Sequence, residues 1–475
     1  MTHRDSVSLA CVVECEDRWL PRVRYVLDVF ARALGIRLHE VQATDSARPL
    51  LVYSPDVTRW ASQRDVVAVR HDAAVWSAFS AEAAAESCMA DYGGDKVLPS
   101  DLLAHAFHFI AAGGGYEPSG SRRLYSNSIF ERHRVPMDIV DRCAHIFRRL
   151  VAGVVGDESF SNAHWAGKAY AVALTHDVDY LPVNRWDNLK VAVKSTARHL
   201  IKQRSLREAV EALGAYLKAA LRGQDPYGCV PAIISEERRR GVKSSFQVAV
   251  GHRHPVDVNY RIEDDRIRDY LEVILKEDFD LCLHGSYRST EQPAWYEEEV
   301  ELLTKRLGRP LGSRQHFLSF DSDALFGAQE RAGIQYDMSM GFPDRCGSRV
   351  GFSHPYFPYS VAQERPYDVL QIPLVLMDVT LRGYMGLRGE AAWQEIERQL
   401  EAVRRVGGAV SVVWHPIVFG GARDPGFDRL YWRLVEYVQE TNGLATDGRT
   451  INALARARTE QYGLISHLPV RAEVS

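Results

Sequence analysis

The sequence predicts an α/β protein, a distorted (β/α)7-type barrel with a smaller N-terminal α/β domain. Three observations predict it. The chain has 475 residues, more than one ordinary core accommodates when domains average ~150 residues. From Ala171 onward short apolar segments alternate with helical ones, the grammar of βα units that pack as a parallel barrel. Ionisable residues also gather at one end of those apolar segments, the end where the loops of such a barrel converge over its mouth. The expected division is an accessory domain over 1–160 and the barrel over 165–460.

In the first unit, VRYVLDVFARALG reads as a helix closed by Gly35, followed by the strand-like IRLHEV and LLVYS. A second helical run, DLLAHAFHFIAA, stops at Gly113-Gly114-Gly115, and PMDIVDRCAHIFRRLVAGVV leads toward the barrel. Seven barrel strands are expected: AVALT at 171–175, SSFQVAV at 244–250, DLCLH at 280–284, LGSRQHF at 311–317, QYDMSM at 335–340, VLQIPLVLM at 369–377 and AVSVVWH at 409–415. Helical segments between them, such as WYEEEVELLTKRLG and AAWQEIERQLEAVRRVG, close on Gly as helix C-termini do.

Composition narrows the function. Hydrophobic residues make up 46% and charged ones 25%, and no stretch approaches the ~20 consecutive apolar residues a spanning helix needs, so no transmembrane segment is expected. The opening MTHRDSVSLACVVECEDRW lacks the apolar core of a secretory signal. Seven scattered cysteines, an odd number without CxxC pairs, suit reduced thiols rather than a disulfide framework or a structural zinc site. A cytoplasmic location is the expectation. The net charge of -4, from 58 basic and 62 acidic residues, argues against a nucleic-acid partner. One local exception runs from Lys190 to Arg222, where eight Lys/Arg face only Glu208 and Glu211 in a helix-like pattern. It reads as a solvated helix face, with contact to a membrane surface or to phosphates as the alternative.

The strand-end rule collects the candidates for chemistry. They are His176, Asp177 and Asp179 after strand one, His252 and His254 after strand two, and His284 after strand three. Arg314 and His316 follow at strand four, Asp337 in strand five, Asp378 after strand six and His415 after strand seven. Asp177 and Asp179, two apart at a strand end, suit a division in which one carboxylate binds a metal and the other takes a proton from water. For the pair, the competing reading is a helix N-cap or turn. His252 and His254 read as loop-capping residues.

Thr175-His176-Asp177-Val178-Asp179 resembles the first motif of the NodB-homology polysaccharide deacetylases, the family 4 carbohydrate esterases. The resemblance implies Asp177 as general base and Asp179 as metal ligand. Leu283-His284-Gly285-Ser286-Tyr287-Arg288 is similar to the second motif, in which two histidines four apart complete the metal site. Arg288 stands in place of the second, and a guanidinium cannot ligate a cation. Either another residue is the third ligand or the metal site is lost. Ser313-Arg314-Gln315-His316-Phe317 resembles the third motif, whose arginine orients the catalytic aspartate, which implies Arg314. His316 lies two residues further on and so on the same strand face. An Asp179-His284-His316 site would leave positions open for water and substrate, although a histidine that hydrogen-bonds behind the ligands fits the same spacing. Val413-Trp414-His415-Pro416 resembles the last motif, which implies that His415 protonates the leaving amine, with Asp378 in Met377-Asp378-Val379-Thr380-Leu381 as its acidic partner.

Asp225-Pro226-Tyr227 and Tyr336-Asp337-Met338-Ser339-Met340-Gly341-Phe342 extend the resemblance to a bacterial subgroup with an extra N-terminal domain, found among surface-polysaccharide biosynthesis proteins. It implies a metal-dependent N-deacylase. The cofactor would be a divalent metal, Zn before Fe, Mn, Co or Ni. It would remove an acetyl or formyl group from an amino sugar in a glycan, sugar nucleotide or lipid-linked precursor of surface polysaccharide or O-antigen. The rivals are a catalytically inactive barrel that binds glycans or serves assembly, and a metal hydrolase of a non-sugar amide or ester. GxxxxGK[ST], HExxH and GxSxG are absent from the sequence, so their chemistries lack their usual marks.

Overall fold

In the computed structural model, residues 7–465 are described apart from 44–48, 64, 94, 112–123, 158–159, 161–164, 182–184, 202–203, 223–224, 228, 252 and 320–321. Two sheets organise the chain. The first contains β1 (Val7–Val13), β2 (Ile36–Glu40), β3 (Leu50–Ser54), β4 (Val66–Arg70) and β5 (Val97–Leu98). Its runs LLVYS and VVAVR are almost wholly buried, as parallel strands covered on both faces must be. The helices Leu20–Leu34, Leu102–Ile110 and Ile139–Val155 pack together beside it. In the last of these Ile139, Cys143, Phe147 and Leu150 point inward, one stripe of a 3.6-residue period.

The second sheet is the expected barrel. Its members are β6 (Tyr170–Val178), β7 (Ser245–Val248), β8 (Asp280–Gly285), β9 (Gly312–Gln315) and β10 (Tyr336–Asp337). After the two-stranded antiparallel ribbon β11 (Tyr359–Ser360) and β12 (Arg365–Pro366), it continues with β13 (Leu370–Gln371), β14 (Leu374–Met377), β15 (Ala409–Val413) and β16 (Gly443–Thr446). The hydrogen-bonded order is β13-β10-β9-β8-β7-β6-β15-β14, in parallel throughout.

The two ends of that order are consecutive pieces of one segment. Residues 370–377 pair first with β10 and then with β15, so this one run stitches the sheet closed. The expected single strand over 369–377 divides at Pro373, which has no N–H to give to a ladder, though its carbonyl still accepts from Ser411 N at 2.7 Å. A further strand, β16, was not expected. It pairs with Tyr170–Ala173 at the start of β6, while β7 takes Thr175–Val178 at its end. The chain then returns to the first sheet, where β17 (Gly463–Ile465) pairs with β2 and makes the order β17-β2-β1-β3-β4-β5.

Asp141, on the helix Ile139–Val155, joins the two parts of the chain: its carboxylate accepts from Ser353 N at 2.9 Å and Ser353 Oγ at 2.6 Å. Among the described residues, no helix is long and apolar enough to cross a membrane.

Candidate active site

Alternation along β6 sorts its ionisable residues. His176, fully buried, turns toward the surrounding helices: its Nδ1 lies 2.7 Å from Trp414 O and its Nε2 3.1 Å from Glu237 Oε1. Thr175 and Asp177 take the other face. There Arg314, fully buried on β9, donates from Nη1 to Thr175 Oγ1 at 2.7 Å and to Asp177 Oδ1 at 2.6 Å, and from Nε to Met338 O at 2.9 Å. The guanidinium thereby fixes one carboxylate oxygen of Asp177. The other, Oδ2, points toward His284 Nε2, 3.9 Å away.

Asp179, one residue past β6, meets histidines from three strands. His284 Nε2 lies 3.1 Å and His316 Nε2 3.7 Å from its Oδ1, and His415 Nε2 lies 3.4 Å from its Oδ2. The ligand atoms of Asp179, His284 and His316 all fall within 4.8 Å of one another. His316 comes after β9 has ended, in the turn His316–Leu318, where Phe317 and Leu318 both adopt left-handed backbone at φ 58° and 50°. Such conformations cost non-glycine residues about 1–3 kcal/mol each and persist where the surroundings enforce them.

The outer nitrogen of each ring is already committed. His284 Nδ1 donates to Arg314 O at 2.9 Å, and His316 Nδ1 lies 3.4 Å from Asp257 Oδ1. Both rings therefore turn the remaining nitrogen, Nε2, toward Asp179. Asp179 Oδ1 and His284 Nε2 are buried and, though 3.1 Å apart, lack hydrogen-bond partners. An unsatisfied buried carboxylate oxygen and an unsatisfied buried imidazole nitrogen, with the His316 ring beside them, are the donor set of a divalent cation, and the residues fit one. The Asp179 side chain keeps 31% of its surface open, which provides access to the mouth.

Across the mouth, His415 Nδ1 lies 2.6 Å from Asp378 Oδ1. Asp378, just past β14, also accepts from Val379 N at 2.7 Å and has Arg382 at 3.8 Å. Arg382 in turn reaches Asp424 at 2.9 Å. Burial alone would lower the His415 pKa, but Asp378 and Asp179 outweigh it and raise it to about 10. Burial pushes the Asp179 carboxyl up, yet the charge of His316 and the approach of His284 and His415 leave it well below the usual carboxylate range. Asp378 is likewise depressed, burial being outweighed by His415 and Arg382.

The structure therefore brings together Asp177, Asp179, His284, Arg314, His316, Asp378 and His415. It places the other candidates elsewhere. Arg288 is more than half exposed and lies 3.9 Å from Glu291. His254 packs its ring against Tyr287, and His252 lies outside the described residues. Asp337 turns the chain after β10 by accepting from Ser339 N and Oγ; burial raises its pKa to about 6. Sequence reasoning missed Asp257, whose carboxylate gathers Tyr287 N, Arg253 N and His254 N beside His316. It also missed Arg382 and Asp424. The loop after strand two was the place to look, since strands one, three, four, six and seven each supply an ionisable group to the mouth.

No family model matches the sequence, and no curated protein does. Solved structures with a similar chain course include a protein of Mycobacterium smegmatis assigned as a polysaccharide deacetylase, at 17% identity over 65% of this chain and 96% of that one, with a TM-score of 0.42. Others are Puue allantoinase, at 16% identity over 62% and 93% with a TM-score of 0.41, and the peptidoglycan deacetylase PdaC of Bacillus subtilis, at 10% identity over 61% and 93% with a TM-score of 0.30.

Proposed function

We propose that the chain is a metal-dependent hydrolase that removes an N-acyl group, acetyl or formyl, from an amino sugar in surface polysaccharide or O-antigen biosynthesis. The observation that carries the reading is the convergence on Asp179 of three imidazoles, with Asp177 beside them and clamped by Arg314. A divalent cation held by Asp179, His284 and His316, with zinc first among the candidates, supplies Lewis acidity at the mouth when bound.

The chain's own residues divide the proton work. Asp177, one oxygen fixed by Arg314, accepts the proton of the attacking water on Oδ2. His415 carries a proton on Nε2, is oriented by Asp378 through Nδ1, and delivers that proton to the departing nitrogen so that the amine leaves neutral. In this reading residues 1–160 form an accessory domain beside the catalytic barrel of 165–460. The substrate is a biosynthetic intermediate met on the cytoplasmic side.

The test is hydrolysis of N-acyl amino sugars alongside elemental analysis. Asp177→Asn and His415→Ala should each lower turnover by about 10²–10⁴-fold. Near-stoichiometric Zn, Fe, Mn, Co or Ni should be present in the wild type and lost from Asp179→Ala and His284→Ala. Wild-type turnover in both catalytic variants overturns the roles. A protein that takes up no metal is instead the inactive, glycan-binding barrel.

A further inference from the structure

The connection between β6 and β7 opens with a helical hairpin, Arg185–Ile201 and Leu206–Leu221, ahead of the helix Val230–Arg239, and the hairpin is amphipathic in the wrong direction for a globular protein. On the second helix Leu206, Val210, Leu213, Leu217 and Leu221 recur at the spacing of one helical face, and all five are exposed. On the first, Trp186, Leu189, Val193 and Leu200 do the same, with Trp186 73% exposed. The residues that face the protein are small or polar: Ala192, Ser195, Ala209 and Ala212, with Asn188 and His199. Ten of the seventeen large apolar side chains exposed among the described residues lie on this hairpin, counting Ile201. A contiguous exposed apolar patch of this kind marks an interaction site.

Charge decides what covers it. Lys190, Lys194, Arg204, Arg207, Lys218 and Arg222 are exposed around the stripes, against Glu211 as the exposed acidic residue among the described side chains; Lys202 lies outside the described residues. A second copy docked through a two-fold axis would set this basic rim against itself, an arrangement with unfavourable charge pairing. An anionic lipid surface accepts both parts, since the apolar stripe enters the acyl boundary while the long basic side chains reach the headgroups. Neither helix is long and apolar enough to cross the bilayer, so the hairpin lies on it.

The hairpin is also fixed to the mouth. Ser195 Oγ donates to Arg423 O at 2.8 Å, His199 Nε2 lies 2.9 Å from the same carbonyl, and Arg198 pairs with Asp424. That segment follows His415, and Asp424 is the residue that holds Arg382 behind Asp378. A surface bound by the hairpin thus borders the loops that carry the candidate site.

We propose that this hairpin docks the protein on an anionic bilayer and that, resting on the hydrolase reading above, the substrate is an amino sugar carried on a lipid and presented at that interface. The test is flotation of the full-length protein with vesicles of phosphatidylglycerol and phosphatidylcholine, or of phosphatidylcholine alone, in parallel with sedimentation velocity. The wild type should float with the anionic vesicles, less so as salt rises. Val193→Glu with Val210→Glu should lose binding at least tenfold, and Lys190→Glu or Lys194→Glu about fivefold each. Asp177→Asn, directed at hydrolysis, should float as the wild type does, so that docking and catalysis fail separately. A wild type that stays with the buffer, or apolar-stripe variants that float unchanged, overturns the proposal. So does a concentration-dependent dimer abolished by those same variants without vesicle binding.

Discussion

Arg314→Met removes a fully buried guanidinium. Its loss takes a donor from three groups at once: the Asp177 carboxylate, the Met338 carbonyl and the Thr175 hydroxyl, which keeps its own bond to Val412 O. Methionine fills a similar volume, so the cavity contribution is small and the uncompensated charge dominates. Breaking a buried pair from one side costs about 3–5 kcal/mol. Removing both charges, in Asp177→Asn with Arg314→Met, should recover a large part of that, because an amide needs only hydrogen bonds where a carboxylate needs a counter-charge. The expected coupling between the two substitutions is therefore at least ~1.5 kcal/mol. Urea unfolding followed by tryptophan fluorescence reads it, since Trp414 is buried beside the site and reports on the barrel. A single variant within ~0.5 kcal/mol of wild type, or a double variant equal to the sum of the singles, would refute the view that Arg314 exists to neutralise Asp177.

Gly312→Ala places a Cβ 2.2 Å from Tyr336 Cε2, in a ring that is fully buried, so it should destabilise the barrel by about 1–3 kcal/mol in the same unfolding assay. Asp378→Asn takes the carboxylate from His415 Nδ1 and should lower turnover by about 10²-fold while metal content, measured by elemental analysis, stays at the wild-type level. The third concerns pH. Burial raises the Asp141 pKa to about 7 against the partial offset of Ser353. The folded state then holds its proton more tightly than the unfolded chain, so stability should fall as pH rises from ~4 to ~7, at up to ~1.4 kcal/mol per pH unit, and level off above. Asp141→Asn should abolish that contribution; an unchanged pH dependence of the urea midpoint would contradict it.

Much of the site was legible because two regularities act at short range. Strand alternation and the strand-end rule need only local sequence, and they brought Asp177, Asp179, His284, Arg314, His316, Asp378 and His415 to one mouth. What escaped depends on how distant loops return. Asp257 sits in the strand-two loop, where the histidines drew attention, and it acts on the site only because that loop folds over His316. Arg382 and Asp424 matter through a chain of contacts that begins at His415 and crosses two connections. In the fold, β16 is four residues long and carries no alternation to betray it, and Pro373 divides a run that is apolar on both sides of it apart from Gln371.

The hairpin shows a different limit. Its sequence carries a clear apolar period from Leu206 to Leu221, which by default is read as the face toward a core, while its lysines and arginines are read as the face toward water. Both defaults assume that the apolar side is the inner one. Here the inward positions are alanine and serine together with the polar Asn188 and His199, which pack on or bond to neighbouring segments such as the loop after His415, and the leucines and valines are left outside. Periodicity gives the angle between two faces of a helix but not which face turns inward. That choice is made by what the rest of the barrel offers to pack against, and it is why a segment whose charge suggests a solvated surface becomes, once placed at the mouth, the part with most large apolar side chains left exposed among the described residues.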